Sequence, residues 1–162
     1  MLPTMARNYV VSSLSGAPDV YEHLLRDLSS DAERWGFCPD PERFTLHEIV
    51  AHVAEYTEVC VLRFRRTLAE NKPHFSDWNE SQAAVDNDYA HSDAPESMRR
   101  LRESRAQMSE IVRDLSDESW ARLAHREGIG ATTLEDQAVM VAAHDGYHLQ
   151  QIVQWLQLAA AL

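Results

Sequence analysis

Apolar residues recur at intervals of three and four along nearly all of this 162-residue chain, and only five glycines and six prolines interrupt them. That period turns one face of a helix inward, whereas a half-buried strand needs a period of two. The chain is therefore expected to be all-α, and the punctuation between its periodic segments sets where each helix runs.

The first helix is expected from Asp19, after a polar lead of small residues from Ser13 to Pro18. Val20/Tyr21, Leu24, Leu28 and Trp35 trace its stripe, and Trp35-Gly36 with Pro39-Asp40-Pro41 end it. Thr45-Leu46-His47-Glu48 reads as a capping box opening a second helix, which runs to about Asn71 and turns Leu46, Ile49/Val50, Val53, Cys60 and Phe64 inward. The stretch from Asn71 to Asp93 is a long connection with a short helix near Gln82 to Val85. Its length suits a bundle crossover or a lid over a site. A third helix starts near Pro95-Glu96 with the stripe Met98, Leu101, Arg105, Met108, Val112 and Leu115. Asp117 to Trp120 restarts a short helix and Gly128-Ile129-Gly130 makes a turn. Thr132 and Thr133, with Glu135 and Asp136, then cap a last helix reaching about Ala159. Asp145-Gly146 inside that helix is a turn signal, but one mid-helix glycine costs only about 1 kcal/mol against alanine. The reading is a four-helix bundle with a long connection between helices two and three, in one domain over residues 1–162.

The formal charge of −11 disfavours nucleic acid, whose binding rests on neutralising phosphates with Lys and Arg. Arg63, Arg65 and Arg66, and the cluster Arg99, Arg100, Arg102 and Arg105, read mostly as solvated helix faces. Cys38 and Cys60 form no Cys-x-x-Cys pair and read as free thiols of a reducing compartment. With no leader pattern and no apolar run of membrane-spanning length, the expected location is the cytoplasm, away from membranes.

Chemistry is concentrated in the histidines. His144 and His148 are four apart, hence about 40° apart on one helical face and one turn apart along the axis, a spacing at which two imidazoles can grip one ion. His47 and His52 are five apart, about 140° round the helix, so with Glu48 they do not make a zincin motif. His52, nearer the apolar stripe, is the better ligand candidate. The Glu-x-x-His pairs of a di-iron carboxylate bundle are missing from the sequence. Three histidines from two helices, His52, His144 and His148, would leave a coordination position open, as catalytic zinc sites do, and imidazole equally suits nickel, iron or copper.

Thr45-Leu-x-Glu-x-x-x-His52 and His144-Asp-Gly-Tyr-His148-Leu-Gln-Gln-Ile152 together resemble the two halves of the DinB-like superfamily pattern. The resemblance implies a four-helix bundle holding a divalent metal on His52, His144 and His148, and it implies a homodimer. It also implies the family's chemistries, a thiol S-transferase with a low-molecular-weight thiol as cosubstrate or a metal-dependent hydrolase, acting on a small molecule. A rival of another class is a non-catalytic ligand-binding or dimeric helical module. Glu48, Glu55 and Tyr56 lie within four residues of His52 and could orient a ligand or line the pocket. Gln151 and Trp155 continue the His144/His148 stripe, with core packing favoured for Trp155. Asp145 is expected to cap or pair. Arg105, on a core stripe, must pair or reach water; a glutamate of helix two is the favoured partner, and an anchor for an anionic substrate or thiol carboxylate near the metal is the alternative.

Overall fold

The computed structural model describes residues 2–28 and 32–160. Four long helices form the bundle: α1 (Thr4–Leu25), α2 (Leu46–Ala69), α3 (Ala94–Val112) and α4 (Leu134–Ala159). The fold is the all-α four-helix bundle with a long connection between its second and third helices. α1 and α2 each pack against both α3 and α4, so helices consecutive in sequence, α1 with α2 and α3 with α4, sit diagonally. This order places α2 beside α4.

α2, α3 and α4 lie where the periodicity predicts them, but the first helix does not. α1 begins at Thr4, runs through Ser13–Pro18 and ends at Leu25, followed by a 3₁₀ turn at Arg26–Leu28. The polar lead is thus helix interior. Ser12, Ser13, Ser15, Gly16 and Pro18 are poor helix formers, and Pro18 cannot donate a helical hydrogen bond, a defect of about 3 kcal/mol or more in a helix interior. Burial of Leu14, Ala17 and Tyr21 on one stripe outweighs it. Val20 is exposed, and Trp35 belongs to a separate turn of helix at Ala32–Trp35. The part of the expected helix at 29–31 lies outside the described residues.

A small sheet was not expected. β1 (His74–Phe75), in the long connection, pairs in parallel with β2 (Leu123–Arg126), and β2 pairs antiparallel with β3 (Gly130–Thr133). The expected Gly128-Ile129-Gly130 turn joins β2 to β3, and both glycines have positive φ, at 76° and 99°. Strands this short show too little alternation to read from sequence. The sheet ties the long connection to the segment leading into α4.

The core has two apolar clusters. One gathers Tyr21, Leu46, Ile49, Val53, Leu101, Ile152 and Trp155, and the other Leu14, Cys60, Phe64, Met108, Leu134 and Val141. The buried polar residues Arg105, Asp145 and His148 lie between them in sequence register on α3 and α4, and His52 lies at the end of the first cluster's stretch of α2. Among the described residues, no helix is long and apolar enough to cross a membrane.

Candidate metal centre

Two capping boxes fix the phase of the helices that carry the histidines. At the start of α2, Thr45 Oγ1 accepts from the Glu48 amide at 3.2 Å and Glu48 Oε2 accepts from the Thr45 amide at 2.8 Å. Thr133 and Asp136 do the same for α4. His52 then falls two turns into α2, wholly buried, facing α4. α4 continues unbroken through Gly146, so His144 and His148 stay on one face.

The three imidazoles converge. His52 Nε2 and His144 Nε2 lie 2.9 Å apart, and one ligand nitrogen from each of the three histidines falls within 4.8 Å of the others. Two nitrogens bound tetrahedrally to one zinc ion sit about 3.3 Å apart, so the pair needs only a few tenths of an ångström of opening. Burial keeps all three rings neutral, with their lone pairs available. It lowers His52 to about 3, helped by nearby His148, and it lowers His144 still further. His148 falls to about 4 despite its bond to Gln151. Gln151 Oε1 accepts from His148 Nδ1 at 3.1 Å, which leaves His148 Nε2 as the free nitrogen. The donor set and its spacing fit a divalent ion.

Aromatic rings wall the cluster. Tyr56 lies 4.1 Å from His144 between ring centroids, Trp78 stacks on His52 at 5.4 Å and Phe44 is 5.1 Å from His52. The cluster opens on a cavity of about 170 Å³ lined by Glu42, Arg43, Glu80, Tyr147, His148 and Gln151. Glu80, at the start of the short helix Glu80–Asp86, places Oε2 3.9 Å from His52 Nε2. Arg43 bonds Tyr147 Oη at 3.3 Å and stacks over Trp155. Trp78, Phe44, Arg43 and Glu80 escaped the sequence reading, because they lie in loops or at the first residue of a short helix, with too little periodicity to assign them a face. For Trp78 and Glu80 the length of the connection was the only signal, and for Arg43 and Phe44 there was none.

The remaining sequence candidates divide. Tyr56 and Gln151 touch the histidines. Glu48 is occupied by its cap, away from the cluster. Glu55 accepts from Tyr89 Oη at 2.7 Å and from Asn87, and so pins the long connection to α2. His47 stacks on Trp35. Trp155 packs in the core and donates its indole N–H to the Phe44 carbonyl at 3.0 Å. Arg105, 1% exposed, pairs with Asp145 at 2.5 Å and not with a glutamate of α2. Those glutamates are engaged outside, Glu58 by Arg100 and Glu55 by Tyr89, whereas Asp145, one residue past His144, faces α3. Burial raises the Asp145 carboxyl to about 6 even though Arg105 pulls it down.

The family model of the DinB superfamily matches residues 13–152. Among solved structures, YfiT from Bacillus subtilis, described as a probable metal-dependent hydrolase with an unusual four-helix bundle topology, superposes with a TM-score of 0.91. The two share 17% sequence identity, and the match covers 99% of this chain and 91% of that one. At that identity the likeness is one of fold. No curated protein sequence matches the chain.

Proposed function

We propose that the chain, which belongs to the DinB superfamily, holds a divalent metal ion on His52, His144 and His148 and uses it to attack a small-molecule substrate. The observation that carries this reading is the convergence of three neutral imidazoles, His52 and His148 buried and His144 half-buried, at one side of an open cavity. A divalent ion there would serve as a Lewis acid and make a coordinated water or thiol nucleophilic near neutral pH. Zinc, nickel and iron all suit three imidazoles.

The other roles fall to the chain's own side chains. Gln151 holds the His148 ring in its ligating tautomer. Phe44, Tyr56 and Trp78 exclude water from the histidine side, which strengthens electrostatic interactions there. Glu80, on the cavity side of His52, can accept a proton from an attacking water. A carboxylate there can take the proton of a water or a thiol alike, so the preference for hydrolysis rests on the description of the Bacillus subtilis protein.

Elemental analysis of protein purified without chelator tests the metal. Wild type should carry one divalent ion and His148→Ala none, while Gln151→Leu should bind metal about 10–100-fold more weakly. Wild type that stays metal-free after reconstitution with zinc and nickel refutes the reading. The reaction is tested on a panel of esters and amides, with and without low-molecular-weight thiols. Hydrolysis that falls in Glu80→Gln at unchanged metal content supports the assignment. Turnover only with added thiol would move it to S-transfer. Ligand binding without turnover would leave a non-catalytic module.

A further inference from the structure

A second cavity lies behind Tyr56, lined by Tyr56, Cys60, Arg63, Phe75, Arg126 and Thr132 among others. It encloses about 280 Å³ out to its mouth, with inner room for about one water-sized group. Its walls come from α2, β1, β2, β3 and α4, so the unexpected sheet builds it.

The charges in this cavity do not balance. Arg7, Arg66, Arg99, Arg100, Arg102 and Arg105 each grip a carboxylate within 3.0 Å. Arg63 and Arg126 do not. Arg63 is buried and donates to the Ser76 carbonyl at 3.0 Å, while Phe75 covers its flat face. Among the described residues, the nearest carboxylate to Arg126 is the exposed Asp77, at 3.9 Å. Both guanidiniums line the one cavity, and burial together with the charge of Arg126 lowers the Arg63 pKa. In a chain of net charge −11, two arginines that line one cavity and have only a long pair to an exposed aspartate leave room for an anion to complete them.

The donors are also unfilled. Arg126 Nε is buried with no hydrogen-bond partner, and so is Thr132 Oγ1, on a residue only 4% exposed. Tyr56 lines the same cavity beside Arg126 and Cys60. Guanidinium edges and hydroxyls converging in one small space match an oxyanion, because charge-assisted bonds to a carboxylate are the strongest that such donors make.

We propose that Arg126, Arg63, Thr132 and Tyr56 form a carboxylate-binding subsite, which selects small-molecule substrates carrying an anionic end. Tyr56 is the shared wall, because its ring lies against His144 and the same residue lines this cavity. Assigning the anion to the substrate rests on the metal-centre reading. Oxyanion binding itself does not, and it is measured here on metal-free protein.

The probes are sodium formate and sodium acetate, against sodium chloride at matched ionic strength, followed by calorimetric titration and thermal unfolding of chelator-treated protein. Formate or acetate should stabilise the wild type beyond chloride. Affinity should fall about tenfold or more in Arg126→Met, and by a smaller factor in the isosteric Thr132→Val. Arg99→Met, an exposed arginine outside the cavity, and His148→Ala should bind as the wild type does. Equal effects of formate and chloride would overturn the subsite. So would unchanged affinity in Arg126→Met and Thr132→Val, or loss in His148→Ala with retention in Arg126→Met. Crystals grown in formate that show only a water in the cavity would overturn it as well.

Discussion

Gly146 offers the sharpest test of the geometry under the metal centre, because it sits between the two histidines of α4. It is helical and exposed, and a Cβ built on it meets nothing within 4 Å. Gly146→Ala therefore neither clashes nor gains packing, and only the backbone term remains. Alanine has less conformational freedom to lose on folding than glycine. The host–guest difference is about 0.8–1.0 kcal/mol, so we expect stabilisation by roughly that amount. For a chain of this size that corresponds to a rise in Tm of about 2–4 °C. Urea and calorimetric unfolding of wild type and variant measure it, with divalent-metal content compared on the same samples. Gly128→Ala serves as the opposite control: its φ of 76° penalises a side chain, so that variant should be less stable. Destabilisation by Gly146→Ala would mean that the chain is not helical at Asp145-Gly146. His144 and His148 would then not share a face, and the metal-site argument would fail with it.

Two further predictions follow from the buried ion pairs. Arg105→Met should cost about 3–5 kcal/mol by leaving Asp145 buried without its partner, while Arg105→Met with Asp145→Leu should recover most of the loss in urea unfolding. If the double variant is no more stable than the single one, the pair is not what holds Asp145. Burial alone would raise the Glu135 carboxyl, but Arg7 and the Leu2 amide hold it below its ordinary 4.5. A depressed carboxyl contributes stability that is complete above the unfolded pKa and is lost as pH falls through the folded value. The advantage of wild type over Glu135→Gln should accordingly be full at neutral pH and shrink below about pH 4. A difference between the two that is independent of pH would refute it.

Where helix ends carry chemical punctuation, the structure was legible in the sequence. Thr45 with Glu48 and Thr133 with Asp136 announce α2 and α4, and the 3.6-residue period then carries the histidines to the correct faces. The same logic failed on α1, because serine, glycine and proline inside a helix look like a turn until the burial of Leu14 and Tyr21 is known. Arg105 was recognisable as a buried charge from its place on an apolar stripe. Its partner was not, since choosing Asp145 over an α2 glutamate requires knowing which helices are neighbours. Glu80, Trp78 and Phe44 are reached through loops and short turns, where no period links sequence position to direction. The carboxylate subsite was hidden twice over. Arg63 reads as part of a solvated basic patch, and Arg126 reaches it only because β1 pairs with β2.

The diagonal placement of α1 with α2 and of α3 with α4 has a consequence for biosynthesis. A ribosome that has released α2 has delivered His52 alone, and His144 emerges 92 residues later. Until α4 is made, this centre consists of His52 alone; α4 then brings the His144–His148 pair, and all three imidazoles meet only when it docks beside α2. If an ion is bound here, its full three-ligand site would form only after α4 has been made, unlike in a zinc finger, whose ligands all lie within a few dozen residues. An ion held only by the finished bundle stabilises it by mass action, so the same chain would show different lifetimes in metal-rich and metal-starved cells.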